Sequence, residues 1–249
     1  MYGNPSDVCI LAGSGGDHLT EEVCGLLGVP STSCTHTKSD GGELKIAINE
    51  NIRGRDAHII QSTCHPVNDN IIELSLIVSA LRRASAERVI AVVPYYGYGR
   101  QTRKLRSREP ISAADVATIF EDQGLDQIIT VDLQHGQIAG FFSPRCHFAS
   151  ASCQPAAARY LHTQRQLRRP VVVAPHASGV TLAKAFFDSL AELHASGDGG
   201  SRFASPRAGA APTLAMLLPH KASGSERRRL EVVGGSAIAR VGVRPCLLA

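Results

Sequence analysis

Five cations stand within nine residues at Arg100, Arg103, Lys104, Arg106 and Arg108, directly behind the turn-forming stretch Pro94-Tyr95-Tyr96-Gly97-Tyr98-Gly99. Guanidinium forks grip phosphate oxygens in pairs, and tyrosine faces accept a flat base or an arginine stem. The grouping points to a site for a phosphorylated nucleotide, with a solvated basic loop as the plainer alternative. A second group is Asp132-Leu133-Gln134-His135. Its carboxylate and imidazole could hold a divalent cation or exchange protons, although a lone histidine is often an ordinary helix-start residue. The third group is Gly13-Ser14-Gly15-Gly16. Free amides at a helix N-terminus could cradle a phosphate there. The stretch has neither the Rossmann spacing nor the Walker lysine, so a tight strand-to-helix turn is the plainer reading.

Each of these groups follows a short apolar run rich in β-branched residues. Val8 to Leu11, Ala57 to Gln61, Arg88 to Val93, Gln127 to Val131 and Val171 to Ala174 read as buried strands. Between them, Asp17 to Leu27, Asn68 to Ala84, Ile111 to Gln123 and Gly179 to Leu193 carry apolar residues at helical spacings. Asp17 reads as a helix cap and Gly124 as a stop. Strand and helix alternating this way predict an α/β fold with its ligand site at the carboxyl ends of the strands. The stretch Ala195 to Ala211 is small, polar and rich in Gly and Pro, and reads as a flexible segment. A softer boundary falls near Ser143 to Pro155. After Pro212 the apolar content is too thin for an independent second core.

The 249 residues, 43% of them hydrophobic and 19% charged, suit one large domain or two small ones. A net charge of +4 is too small to argue for a generic nucleic-acid binder, and with 5% aromatics and no Trp the chain is poor in stacking platforms. No apolar run approaches the roughly 18 residues of a membrane span, and the start lacks the pattern of a signal peptide. The expectation is a soluble cytoplasmic protein that engages no nucleic acid and no membrane. Seven scattered cysteines with no C-x-x-C pair fit reduced thiols better than a disulfide framework or a zinc knuckle.

Four stretches together resemble the ribose-phosphate diphosphokinases, also called phosphoribosyl pyrophosphate synthetases. They are INENIRGRDAHIIQSTCHPVNDNIIEL (Ile48 to Leu74), LRRASAERVIAVVPYYGYGRQTRK (Leu81 to Lys104), PISAADVATIFEDQGLDQIITVDL (Pro110 to Leu133) and QIAGFF (Gln137 to Phe142). The likeness is nearly continuous from Lys38 to Phe142 and thins past Pro144, with RRPVVVAPHASGV and LAMLLPHK similar to the family's second domain. It implies two parallel-sheet α/β domains of the phosphoribosyltransferase type, over residues 7–145 and, incompletely, 146–249. It also implies transfer of the β,γ-diphosphoryl group of ATP to the 1-hydroxyl of ribose 5-phosphate, a requirement for Mg2+, and assembly into homo-oligomers or hetero-oligomers with family members.

Carried over residue by residue, the resemblance assigns ATP contacts to Asp40, Glu43, Arg100 and Gln101. The family's F-S-D-G-E loop is here Lys38-Ser39-Asp40-Gly41-Gly42-Glu43, without the stacking Phe and with one glycine more. The family's metal-binding D-L-H becomes Asp132-Leu133-Gln134, which leaves His135 one position late. The Asp of its S-P-D motif becomes His176. Both histidines are therefore expected metal positions, and Lys221 matches the family's catalytic lysine. The D-D-x-x-D-T-G-G-T loop that grips ribose 5-phosphate has no counterpart before Ala249, so little turnover is expected of this chain alone. The alternative expectation is a catalytically silent member that serves as a regulatory or structural subunit.

Overall fold

The computed structural model describes residues 8–133, 135–164, 171–174, 179–196, 213–222 and 225–232. The chain divides into two compact units, Met1–Ser152 and Cys153–Ala249. In the first, strands β1 (Val8–Ala12), β4 (Asp56–Ile60), β5 (Arg88–Val93), β6 (Gln127–Val131) and β7 (His147–Ala151) form one sheet in the order β1-β4-β5-β6-β7. Every pairing in it is parallel. A two-stranded antiparallel hairpin, β2 (Cys34–Lys38) and β3 (Leu44–Ile48), stands apart from it.

The helices are α1 (Asp17–Leu27), α2 (Val67–Arg83) and α3 (Ser112–Asp122), and a short 3-10 helix spans Gly136–Phe141. The main core joins Cys9, Leu11, Ala57, Ile59, Val89, Ala91, Val93 and Ile128 to the inward faces of α2 and α3, with Leu74, Ile77, Leu81 and Phe120 fully buried. Alternate strand residues face the other way: Ile10 and Ile60 pack with Cys24 of α1. Side chains that alternate between two covered faces explain why these strands read as continuous apolar runs.

Boundaries differ from the sequence reading by one to three residues, as fraying ends do. Asp17 is the first helical residue and Gly16 the cap, so the carboxylate of Asp17 favours the helix by its place in the first turn. Gly124 follows α3 with φ 96, the left-handed turn expected of a stop.

The second unit contains α4 (Gln154–Gln164), β8 (Val171–Ala174), α5 (Val180–Ser196), β9 (Thr213–Ala222) and β10 (Ser225–Val232). Its sheet is mixed in the order β10-β9-β8, parallel between β8 and β9 and antiparallel between β9 and β10. Most of the Gly/Pro-rich segment 195–211 lies outside the described residues.

Two glycines make opposite predictions. A Cβ on Gly16 would sit 2.0 Å from the carbonyl oxygen of Ile60, whereas one on Gly25, inside α1, meets nothing within 4 Å. Gly16→Ala is expected to destabilise the chain by about 3 kcal/mol, and Gly25→Ala to stabilise it by about 0.5 kcal/mol. Urea midpoints measured side by side check both signs.

Burial also pushes up the thiols of Cys9, Cys24, Cys34 and Cys146, the last from 9.0 to about 12. An acid with a raised folded pKa holds its proton where the unfolded chain has released it, so stability is full below pH 9 and falls as pH rises toward 12. A urea midpoint that stayed level across that interval would contradict this account.

Candidate active site

The loops that leave β4 and β5 meet at the carboxyl edge of the sheet. Thr63 is 1% exposed; its hydroxyl donates to the Tyr95 carbonyl at 2.7 Å and accepts from the Gly97 amide at 2.6 Å, while its own amide reaches the Tyr95 carbonyl at 3.0 Å. A side chain on Gly97 would press on Val67 Cγ1 at 2.8 Å and on the Thr63 carbonyl oxygen at 2.9 Å. The absence of one there lets the tyrosine-rich turn lie directly on the start of α2. Tyr96 points into the core and donates to the Ala113 carbonyl at 3.0 Å, and its hydroxyl pKa is pushed up by that burial. Tyr98 points outward and donates to Asn68 Oδ1 at 2.7 Å.

Between these loops lies a cavity of about 560 Å³ lined by His65, Asn68, Asp69, Tyr95, Tyr98, Arg100 and Gln101, with Pro66, Val67 and Gly99 in its walls. That volume is in the range of small-molecule sites. Arg100 and Gln101, both expected as nucleotide contacts, are thus brought together. Ser112 Oγ donates to Gln101 Oε1 at 2.8 Å, which fixes the side-chain amide by its oxygen at the cavity wall. Arg103, Lys104, Arg106 and Arg108 are exposed, and among the described residues neither they nor Arg100 enter an ion pair. Glu109 shapes this loop by accepting from the amides of Leu105 and Arg106 at 3.0 and 2.9 Å.

Asp40 and Glu43 sit in the exposed turn of the β2–β3 hairpin and are not in the cavity lining. The hairpin touches the cavity through Lys38, whose Nζ lies 2.7 Å from Asp69 Oδ2. The sequence reading missed Lys38 as a contact, and with it His65, Asn68 and Asp69. Their only signal was an Asn-Asp pair at a helix start.

The glycine loop after β1 is not a phosphate cradle. Gly13 N donates to the Ile60 carbonyl and Gly16 N to the Gly13 carbonyl. Ser14 donates from its amide and hydroxyl to Glu73 Oε1 at 3.0 and 2.7 Å, and Gly15 N donates to Gln61 Oε1 at 2.9 Å. All four amides are spent on a turn, and the buried Glu73 carboxylate takes the place a phosphate would need.

His135 precedes the 3-10 helix, three residues after Asp132, which directly follows β6 with φ 44 and donates its amide to the Ala151 carbonyl at 2.9 Å. His176 lies outside the described residues. Lys221 belongs to β9, in register with Glu226 of β10. Among the described residues no three His, Cys, Asp or Glu side chains converge where a metal could sit, and imidazole suits magnesium less well than carboxylate does. The described residues do not by themselves make a magnesium site, and no step is assigned to one.

The family profile of the N-terminal domain of ribose phosphate pyrophosphokinase matches residues 8–124, from β1 through α3. A ribose-phosphate pyrophosphokinase of Clostridium tetani is 42% identical over 184 residues, which is 73% of this chain and 57% of the relative. One from Helicobacter pylori is 41% identical over 181 residues, 73% of this chain and 56% of the relative. The crystal structure of phosphoribosylpyrophosphate synthetase from Mycobacterium smegmatis superposes with TM-score 0.74 at 30% identity, covering 92% of this chain and 67% of that one. The chain belongs to the ribose-phosphate pyrophosphokinase family. It spans somewhat more than half the length of the curated relatives it matches. The family likeness includes the cavity and the basic loop, since both fall within residues 8–124.

Thr63→Val keeps the shape of the side chain but strands the Gly97 amide. The expected loss is about 1–3 kcal/mol of stability. Hydrogen exchange localises it: the Gly97 amide should lose protection while amides of β1 keep theirs.

Proposed function

We propose that the protein is a ribose-phosphate diphosphokinase of the cytoplasm, acting as an oligomer, which moves the β,γ-diphosphoryl group of ATP to ribose 5-phosphate. The observation that carries this reading is the cavity at the ends of β4 and β5, where Arg100 and the oriented amide of Gln101 face the same space. In the proposed reaction the 1-hydroxyl oxygen of the sugar attacks the β-phosphorus, the bond from that phosphorus to the α-phosphate oxygen breaks, and AMP leaves. The hydroxyl proton passes to solvent or a nearby base.

Such a transfer needs little covalent participation from the protein; position and charge neutralisation dominate. Arg100 would pair with phosphate oxygens in the bidentate manner its planar head allows, and Gln101 would donate its NH2. The exposed cations from Arg103 to Arg108 would raise the local concentration of the polyanionic substrate. Asp40 and Glu43 are proposed as contacts from the hairpin turn, Lys221 as the cation that offsets charge on the transferring group, and His135 and His176 as neighbours of the metal that accompanies ATP.

Calorimetry with ADP and an assay of AMP release from ATP and ribose 5-phosphate test the reading. Arg100→Ala is expected to weaken ADP binding by about 10- to 100-fold, the worth of a charged hydrogen-bonding group. ADP affinity that survives this substitution intact would remove Arg100 from the site.

A further inference from the structure

The turn between β2 and β3 contains an Asp-Gly step, Asp40-Gly41, and its neighbours leave that step open to reaction. Three amides of the turn are committed: Ser39 N donates to the Glu43 carbonyl and Gly42 N to the Ser39 carbonyl, both at 2.8 Å, and Glu43 N donates to Ser39 Oγ at 3.1 Å. The Gly41 amide, by contrast, has no acceptor among the described residues. The Asp40 carboxylate enters no hydrogen bond or ion pair among them either, and both residues are exposed. A Cβ built on Gly41 would meet only Ser39 Oγ, at 3.8 Å, so the turn has open space around it. Glycine also leaves the backbone free to rotate as a ring closure across the step requires.

We infer that Asp40 is a site of self-modification, where the folded chain converts aspartate to isoaspartate through a cyclic imide. Gly41 N attacks Asp40 Cγ, the amide proton and the carboxyl OH leave as water, and a five-membered ring closes. Water then adds back at one of the two ring carbonyls. Addition at Cγ restores aspartate. Addition at the Asp40 backbone carbonyl breaks its bond to Gly41 N, leaves the chain running through Cγ, and frees the former backbone carbonyl as a carboxylate. The sum gains and loses no atom and needs no oxidant, reductant or cofactor. The product keeps a carboxylate but moves it, and lengthens by one carbon a turn whose closing pair is Lys38 opposite Leu44. Lys38 reaches Asp69 on the cavity rim, so the change arises beside the candidate site.

The test ages the full folded chain at neutral pH and physiological temperature beside the variants Gly41→Ala and Asp40→Asn. An isoaspartyl methyltransferase counts the product by the methyl groups it transfers from S-adenosylmethionine. Peptide mapping places it, because the isoaspartyl peptide elutes apart from its parent at the same mass. The parent is expected to accumulate isoaspartate at Asp40, and Gly41→Ala to do so about tenfold more slowly, equivalent to about 1.4 kcal/mol in the barrier to ring closure. Urea midpoints of the two should agree, since the added methyl has room. Asp40→Asn should pass through the same ring faster than the parent, with release of ammonia. The sequence has one other Asp-Gly step, Asp198-Gly199, outside the described residues, and the map reads it as a separate peptide. Isoaspartate that fails to appear at position 40 of the folded parent, or that appears there equally fast in Gly41→Ala, overturns the inference. Label confined to Asp198 overturns it as well. The consequence for binding rests on the nucleotide site proposed above: ADP affinity of the parent should fall as isoaspartate builds up, while that of aged Gly41→Ala holds. An affinity that stays level despite the modification would remove Asp40 from the site and leave the self-modification standing.

Discussion

One buried hydroxyl sets the geometry on which the site depends. Parallel strands leave a sheet side by side, but nothing in the ladder requires the loops beyond them to stay together. Here Gln61 N continues the β4–β5 ladder to the Val92 carbonyl at 3.0 Å, and Thr63 extends it two residues further to Tyr95 and Gly97. In a low-dielectric interior each of these bonds is costly to leave unmade, so the two loops move as one piece. The missing side chain at Gly97 is the other half of the same device, because it allows the backbone to lie against Val67. Cavity walls drawn from residues 65–69 and 95–101 follow directly.

The loops after β1 and after β5 occupy equivalent strand ends and are put to opposite uses. The first is closed by a carboxylate. Glu73, 2% exposed, accepts from the amide and hydroxyl of Ser14 and from Gln61 Nε2, so its desolvation is offset by three donors. An anionic ligand would meet that charge and find no free amide. The second loop holds exposed cations with no acidic partner among the described residues. Strand-end position alone therefore does not choose between the two loops as candidate sites; the disposition of donors and charges does.

This explains what could be read in the sequence. The β-branched runs at Val8, Arg88 and Gln127 declared buried parallel strands because both faces are covered, and Arg100 declared itself by the density of its neighbours. The hairpin was harder. Its strands alternate half-buried and exposed residues, with Cys34, Ile46 and Ile48 resting on the main core and Thr35, Thr37, Lys45 and Ala47 exposed between the half-buried positions. Five residues of weak alternation are too few to stand out against loop composition. β7 is plainer still, an edge strand whose one large apolar residue is Phe148, recognisable only through its partner β6. Asp69 and Lys38 were invisible as a pair, because nothing local joins residues 31 apart. Spent amides at Gly13–Gly16 were equally hidden, since Glu73 lies 59 residues away from Ser14.

The Lys38–Asp69 pair has a consequence for how the hairpin can act. Both partners are about half exposed, at 51% each, and an ion pair in that setting is worth about 0–1 kcal/mol. The hairpin is therefore held by the apolar undersides of β2 and β3, and its charged link to the cavity rim is cheap to exchange. A polyphosphate bound at Arg100 as proposed would present more negative charge to Lys38 than Asp69 does. The ammonium can shift from the rim to the ligand at little cost, while the packing of Ile46 and Ile48 keeps the hairpin in place.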